Sequence, residues 1–166
     1  MLKEDKENDI RYYQYTAIDE YSRQRVVMAT KEHSTYESAK FVKLIIKKFK
    51  FNIETVQTDN GFEFTNRLSY KADRNTKTFF EKELELNNIK HKLIKPRTPK
   101  QNGKVERSHR KDQENLYYEQ KFLNFEDFKR KLSRWIREYN NTGMKPLNWK
   151  SPNQILEEYK KLTAEK

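Results

Sequence analysis

The chain has 166 residues, enough for one domain with its own core. Lys and Arg number 36 against 25 Asp and Glu, a formal charge of +11 that suits a polyanionic partner. Cysteine is absent and only three histidines are present, scattered along the chain, which excludes disulfides and thiolate metal sites and argues against a histidine-rich zinc site.

Residues 1–11 are polar, alternate charges of both signs, and read as a flexible segment rather than a signal peptide. Tyr12 to Ile18 is rich in β-formers and is predicted to be a strand. Asp19-Glu20-Tyr21-Ser22 has turn chemistry, and Arg25 to Thr30 resumes as a second strand, so the two form a hairpin. Ser34 and Glu37 fit a capping box for a helix carrying Ala39, Val42, Ile46 and Phe49 on one face. Ile53 to Thr58 is the next strand. This strand–helix–strand order predicts a parallel pairing around that helix.

Phe79 to Leu86 reads as a helix ended by Asn87-Asn88, and Lys90 to Lys95 as a short strand closed by Pro96. The basic stretch from Arg97 to Gly103 is a loop, followed by a helix from about Lys104 to Tyr118. Asn124 and Asp127 can cap another, with Phe125, Phe128, Leu132, Trp135, Ile136 and Tyr139 on one face. Ser151-Pro152 opens a last helix. No apolar run reaches transmembrane length, so no membrane partner is expected and a cytoplasmic protein is the default. There are no internal repeats, and 12–162 is expected to be a single domain.

Two segments carry candidate chemistry. In Val56-Gln57-Thr58-Asp59-Asn60-Gly61-Phe62-Glu63-Phe64, a buried strand ends in a carboxylate, and a Gly lets the chain turn away. Asp-Asn-Gly is also a common turn, but sites in open α/β sheets form beyond the carboxyl ends of strands. In Lys95-Pro96-Arg97-Thr98-Pro99-Lys100-Gln101-Asn102-Gly103-Lys104-Val105-Glu106-Arg107-Ser108-His109-Arg110, one acid sits among many cations. The plain reading is a solvated helix with Glu106 paired to Arg110 four residues on. The alternative is a surface for a phosphate backbone, using Lys95, Arg97, Lys100, Asn102, Lys104, Arg107, Arg110 and Lys111.

Together with Tyr13 to Arg23, these segments in this order resemble the DDE-type integrase core shared by bacterial insertion-sequence transposases and retroviral integrases. The resemblance runs from about Tyr13 to about Tyr159. Its most specific strings are Gln57-Thr58-Asp59-Asn60-Gly61 and Pro99 to Arg107. It implies an α/β RNase H-like fold, a five-stranded mixed sheet flanked by helices. It matches Asp59 to the family's second catalytic acid and Glu106 to its third. In that family an Asp, Asp, Glu trio holds two Mg²⁺ (or Mn²⁺) ions, one activating the attacking hydroxyl and one stabilising the leaving oxygen. Oxygen ligands suit hard Mg²⁺ and need neither Cys nor His. The resemblance also implies transposon-end and target DNA as partners, and multimers. Asp59 and Glu106 are 106 − 59 = 47 positions apart, with a polar insertion at Asn66 to Lys77.

The family's first acid stands on a strand ahead of the one matching Tyr12 to Ile18. Residues 1–11 are neither alternating nor β-branched, so that first strand is expected to be absent here. Asp19 is at the wrong end of its strand to replace the acid and should cap the hairpin. Asp5 or Asp9 lies nearer the catalytic rim. Either a gap should remain beside Tyr13–Ile18, or residues 1–10 should act as a substitute strand. The resemblance places such a core behind a helix-turn-helix DNA reader in a longer reading frame. Two readings stay open: a metal-dependent DNA strand-transfer core, including a copy inactive for want of that acid, or a non-catalytic RNase H-like module that grips DNA.

Overall fold

The computed structural model of the chain describes residues 11–69, 75–95 and 103–164. Strands β1 (Tyr13–Ile18) and β2 (Arg25–Thr30) form an antiparallel hairpin with Tyr13 opposite Thr30 and Ile18 opposite Arg25. Asp19 closes its turn: one carboxylate oxygen accepts from the Ser22 amide and from the Ser22 hydroxyl, both at 2.7 Å. Arg23 takes φ 62° there, a left-handed conformation that costs a non-glycine residue little only inside such a fixed turn.

Helix α1 (Thr35–Phe49) starts at Ser34, whose hydroxyl accepts from the Glu37 amide at 3.3 Å. Glu37 turns its carboxylate to Lys40 at 2.6 Å instead of completing the expected box. The reciprocal box forms where it was not foreseen, at the start of α2 (Phe79–Leu86). There Thr78 and Glu81 satisfy each other's backbone N–H groups. Strands β3 (Thr55–Thr58) and β4 (Lys90–Leu93) pair in parallel across α2. The expected parallel pairing around α1 is therefore not found. β2 pairs only with β1 among the described residues, and the crossover helix of the parallel pair is α2.

Beyond 103 the chain is helical. Helix α3 (Gly103–Asp112) runs into a π-helical turn (Gln113–Tyr117), where a single long helix was predicted. Helix α4 (Phe125–Asn141) is capped by Asn124, which accepts from the Asp127 amide at 2.9 Å, while Asp127 accepts from the Leu123 amide at 3.2 Å. Helix α5 (Pro152–Ala164) follows Ser151, whose backbone N–H and side chain exchange hydrogen bonds with Gln154. Among the described residues no helix is long and apolar enough to cross a membrane.

Period-2 alternation on the hairpin sets the layers. Tyr15 and Val26 face α1, where they bury Phe41, Ile45 and Phe49. Val27 and Ala29 face the other way, onto Leu116, Tyr117, Phe128, Leu132 and Ile136 of the π-helical turn and α4. Val42, one residue round α1 from Phe41, packs with Phe80, Leu84 and Ile89, and so ties β3–β4 to the same helix. The described strands thus make two two-stranded sheets held by α1, not one continuous five-stranded sheet. A cleft of about 420 Å³ lies between them, with Gln14 to Glu20 on one wall and Thr55 to Asp59 on the other. The cleft runs beside Tyr13–Ile18; residues 1–10, expected there as a substitute strand if no gap remained, lie outside the described residues.

Phe128 has no exposed surface at the centre of the α4 cluster. Phe128→Ala should lower unfolding free energy by about 3–5 kcal/mol, measured by urea denaturation with Trp135 fluorescence as the probe. A loss within about 0.5 kcal/mol, the scale of surface changes, would mean that this cluster is not the packed core described.

Candidate active site

Asp59 follows the last residue of β3 and is exposed. Its Oδ1 accepts from the Gly61 amide at 3.0 Å, an Asx turn that fixes the carboxylate's direction and leaves its second oxygen for another partner. The loop is pinned from both sides. Asn60 donates to the Ile94 carbonyl at 2.9 Å, and Ser38 of α1, fully buried, donates to the Glu63 carbonyl at 2.6 Å. Glu63 in turn meets His33 Nε2 at 2.8 Å. Gly61 does not adopt positive φ, so its value is not a left-handed turn. A Cβ at that position would come within 2.5 Å of the Glu63 carboxylate, a flexible group that could shift. The strand before Asp59 is also less buried than expected: Thr55 and Gln57 are exposed, Val56 is half-buried, and only Thr58 is buried.

Thr58 joins this strand end to β4. Its hydroxyl donates to the Asp59 carbonyl at 2.8 Å and lies 2.8 Å from His91 Nε2. A hydroxyl has one proton, so with that proton on the Asp59 carbonyl His91 must donate through Nε2. Burial pushes the His91 pKa down, against the opposing pull of Glu81.

Helix α3 is divided along its length. Val105, Ser108, His109 and Asp112, at helical spacing, turn inward, whereas Lys104, Glu106, Arg107, Arg110 and Lys111 are exposed. Lys104, Val105 and His109 line the same cleft as Asp59. Glu106, on the outward side of that turn, is not among the lining residues. Arg110 does not pair with Glu106 but with Glu114, at 3.1 Å. Lys104 pairs with Glu20 at the tip of the hairpin turn. Of the other cations singled out from the sequence, Lys95 is exposed just after β4. Arg97, Lys100 and Asn102 lie outside the described residues, as do Asp5 and Asp9. Asp19 lines the cleft as well, but its carboxylate is committed to Ser22.

Sequence reasoning passed over His109 and Asp112. His109 is drawn down in pKa by burial, with Asp112 pulling the other way. Asp112 has no exposed surface and makes a two-pronged ion pair with Arg25, at 3.0 and 2.6 Å. The available signal was the spacing 105, 108, 109, 112, which marks an inward face that is almost wholly polar.

The two lowered histidines give a pH dependence of definite sign. An unfolded chain takes up these protons below about pH 6.5, and the folded one resists them. Stability should therefore be unaffected by these groups above that pH and fall as pH drops below it. His91→Gln should flatten part of that fall between about pH 6.5 and 5. Denaturation midpoints of the two chains measured across this window test it. Parallel curves would mean that burial does not lower the His91 pKa in the folded chain.

Models of the integrase core domain match residues 2–99 and 87–143. The chain is 33% identical to the "Putative integrase ORF3" of Spiroplasma virus SpV1-C74, covering 89% of this chain and 42% of that relative. It thus spans less than half the length of this relative. Among solved structures, the catalytic core domain of BIV integrase superposes with a TM-score of 0.65 at 18% identity, covering 95% of this chain and 91% of that one. The HTLV-2 integrase catalytic core domain, in a dimeric form in complex with magnesium, gives 0.63 at 18% identity, with 90% and 87% covered. A chain of the simian T-cell lymphotropic virus intasome in complex with PP2A regulatory subunit B56 gamma gives 0.63 at 17% identity, with 90% and 49% covered. At these identities the superpositions speak for the fold, which is that of the retroviral integrase cores, RNase H-like. With the family model spanning more than half the sequence, the chain belongs to the integrase core domain family.

Proposed function

We propose that this chain is the phosphoryl-transfer core of a DNA-integrating or transposing protein, with Asp59 and Glu106 as its metal-holding carboxylates. One observation carries the reading. Asp59, at the carboxyl end of β3, shares a cleft with the first two turns of α3, the helix that bears Glu106. Both carboxylates are exposed, and Asp59 keeps one oxygen outside its turn. Hard oxygen donors of this kind suit Mg²⁺ or Mn²⁺, and one or two carboxylates completed by water and substrate phosphate suffice for one ion. Bound there, the metal would polarise the phosphate and raise the acidity of the attacking hydroxyl.

The chain's own residues would do the rest. The Asx turn at Asp59 and the Asn60 anchor hold one ligand rigidly against β4. The exposed cations of α3, namely Lys104, Arg107, Arg110 and Lys111, together with exposed Lys95, are available to DNA phosphates. Arg97, Lys100 and Asn102, outside the described residues, join them in the proposal through their place in the same basic stretch of sequence. Transposon-end and target DNA are the corresponding substrates, and assembly into homo-oligomers on DNA is part of the proposal.

A second reading, a DNA-binding module without catalysis, has its own support. Among the described residues no group of three or more His, Cys, Asp or Glu gathers where a metal ion could sit. Metal binding separates the two. Calorimetry with Mn²⁺ should show a site that Asp59→Asn removes; no Mn²⁺ binding by the unaltered chain would favour the second reading.

DNA affinity tests the basic face in either case. Fluorescence anisotropy on two duplexes of unrelated sequence should show affinity falling steeply with salt. Lys100→Glu combined with Lys104→Glu should weaken both duplexes alike and reduce the logarithmic salt slope by about 2, roughly 1 per lysine. Affinity that is flat with salt would rule out phosphate-led binding.

A further inference from the structure

Helix α3 carries the proposed ligand Glu106, yet it has almost nothing apolar with which to dock. Of Gly103 to Asp112, only Val105 is aliphatic, and it is half-buried. A helix normally settles on a protein through an apolar stripe. What α3 offers instead is Asp112, at its last position.

Asp112 accepts four hydrogen bonds: two from the Arg25 guanidinium at 3.0 and 2.6 Å, one from the Gln14 side-chain Nε2 at 2.9 Å and one from the Trp135 indole at 2.7 Å. These donors come from β2, β1 and α4, so one carboxylate is held by three elements. Arg25 is itself buried and stacks 4.7 Å from the Tyr139 ring. The π-helical turn completes the arrangement. Its wider winding brings a residue five positions on over the first, and the hydroxyl of Tyr117, five after Asp112, donates to the Gln14 side-chain Oε1. Gln14 is thus gripped from both ends of that turn.

Resting on the proposed assignment of Glu106 as a metal ligand, we infer that Asp112 and Arg25 are positioning residues. Their ion pair fixes α3 against the hairpin and so sets where Glu106 stands relative to Asp59.

The test uses the full chain and separates position from stability. Hydrogen exchange without metal comes first. In the unaltered chain the Trp135 indole N–H and the α3 amides should share one denaturant dependence, because opening α3 releases the indole. In Asp112→Asn the amides of 103–112 should lose protection while those of 125–141 keep theirs. The double variant Arg25→Met with Asp112→Leu replaces the pair by apolar groups that can keep the fold. At an unchanged melting midpoint it should still bind Mn²⁺ about 10–100-fold more weakly. The inference is overturned if α3 amides exchange freely in the unaltered chain while the indole stays protected. It is equally overturned if the stable double variant keeps full α3 protection and full Mn²⁺ affinity. Absence of Mn²⁺ binding in the unaltered chain would instead defeat the metal assignment, and leave the exchange result to judge the positioning.

Discussion

The ion pair between Arg25 and Asp112 joins the hairpin to α3 in the interior of the molecule. Neither side chain has exposed surface. Two charges taken out of water are costly unless each is closely matched. Here the match extends to Gln14, Trp135 and Tyr139, while the buried Arg25 Nε finds no hydrogen-bond partner among the described residues. Removing either partner strands the other charge in the interior, which is far worse than losing a surface pair. That asymmetry makes the pair a determinant of register. In the observed relation of the hairpin, α3 and α4 the Asp112 carboxylate is met by donors from β1, β2 and α4. Hydrophobic packing of Phe128 and Leu132 supplies adhesion on the same face but much less direction.

On the opposite face α1 does comparable work by packing. Phe41, Ile45 and Phe49 lie under the hairpin, and Val42 lies under α2 and the second sheet. The two sheets are consequently held at a fixed spacing, although no ladder joins them among the described residues. The cleft between them is where Asp59 emerges from β3 and where α3 presents Lys104 and His109. Position of the proposed site thus follows from two separate devices. α1 places the strand that ends in Asp59, and the buried ion pair places the helix that carries Glu106.

Much of this was legible in the sequence, for local reasons. The hairpin shows in the β-rich runs on either side of Asp19 to Ser22, and Asp19 caps it as its chemistry suggested. Asn124 and Ser151 announce their helices because cap residues act over three positions. Non-local features were hidden. Nothing marks which strands pair, so the parallel crossover was assigned to α1 when it belongs to α2. The π-helical turn is invisible to a reading based on 3.6-residue periodicity, because Asp112 and Tyr117 stand five apart. Arg25 and Asp112 are 87 positions apart and look like two more surface charges in a chain with 36 cations and 25 acids. The candidate acids Asp59 and Glu106 were singled out through their neighbours in the motif, not through any property of their own.

The account stands on those two carboxylates serving one metal. A crystal grown with Mn²⁺ and read by anomalous scattering addresses this directly. The expected result is an ion bonded to oxygens of both Asp59 and Glu106, at roughly the 2.0–2.2 Å typical of such hard-cation contacts. An ordered structure with the two carboxylates more than about 12 Å apart, beyond any pair of ions ~3.5–4 Å apart, would contradict it.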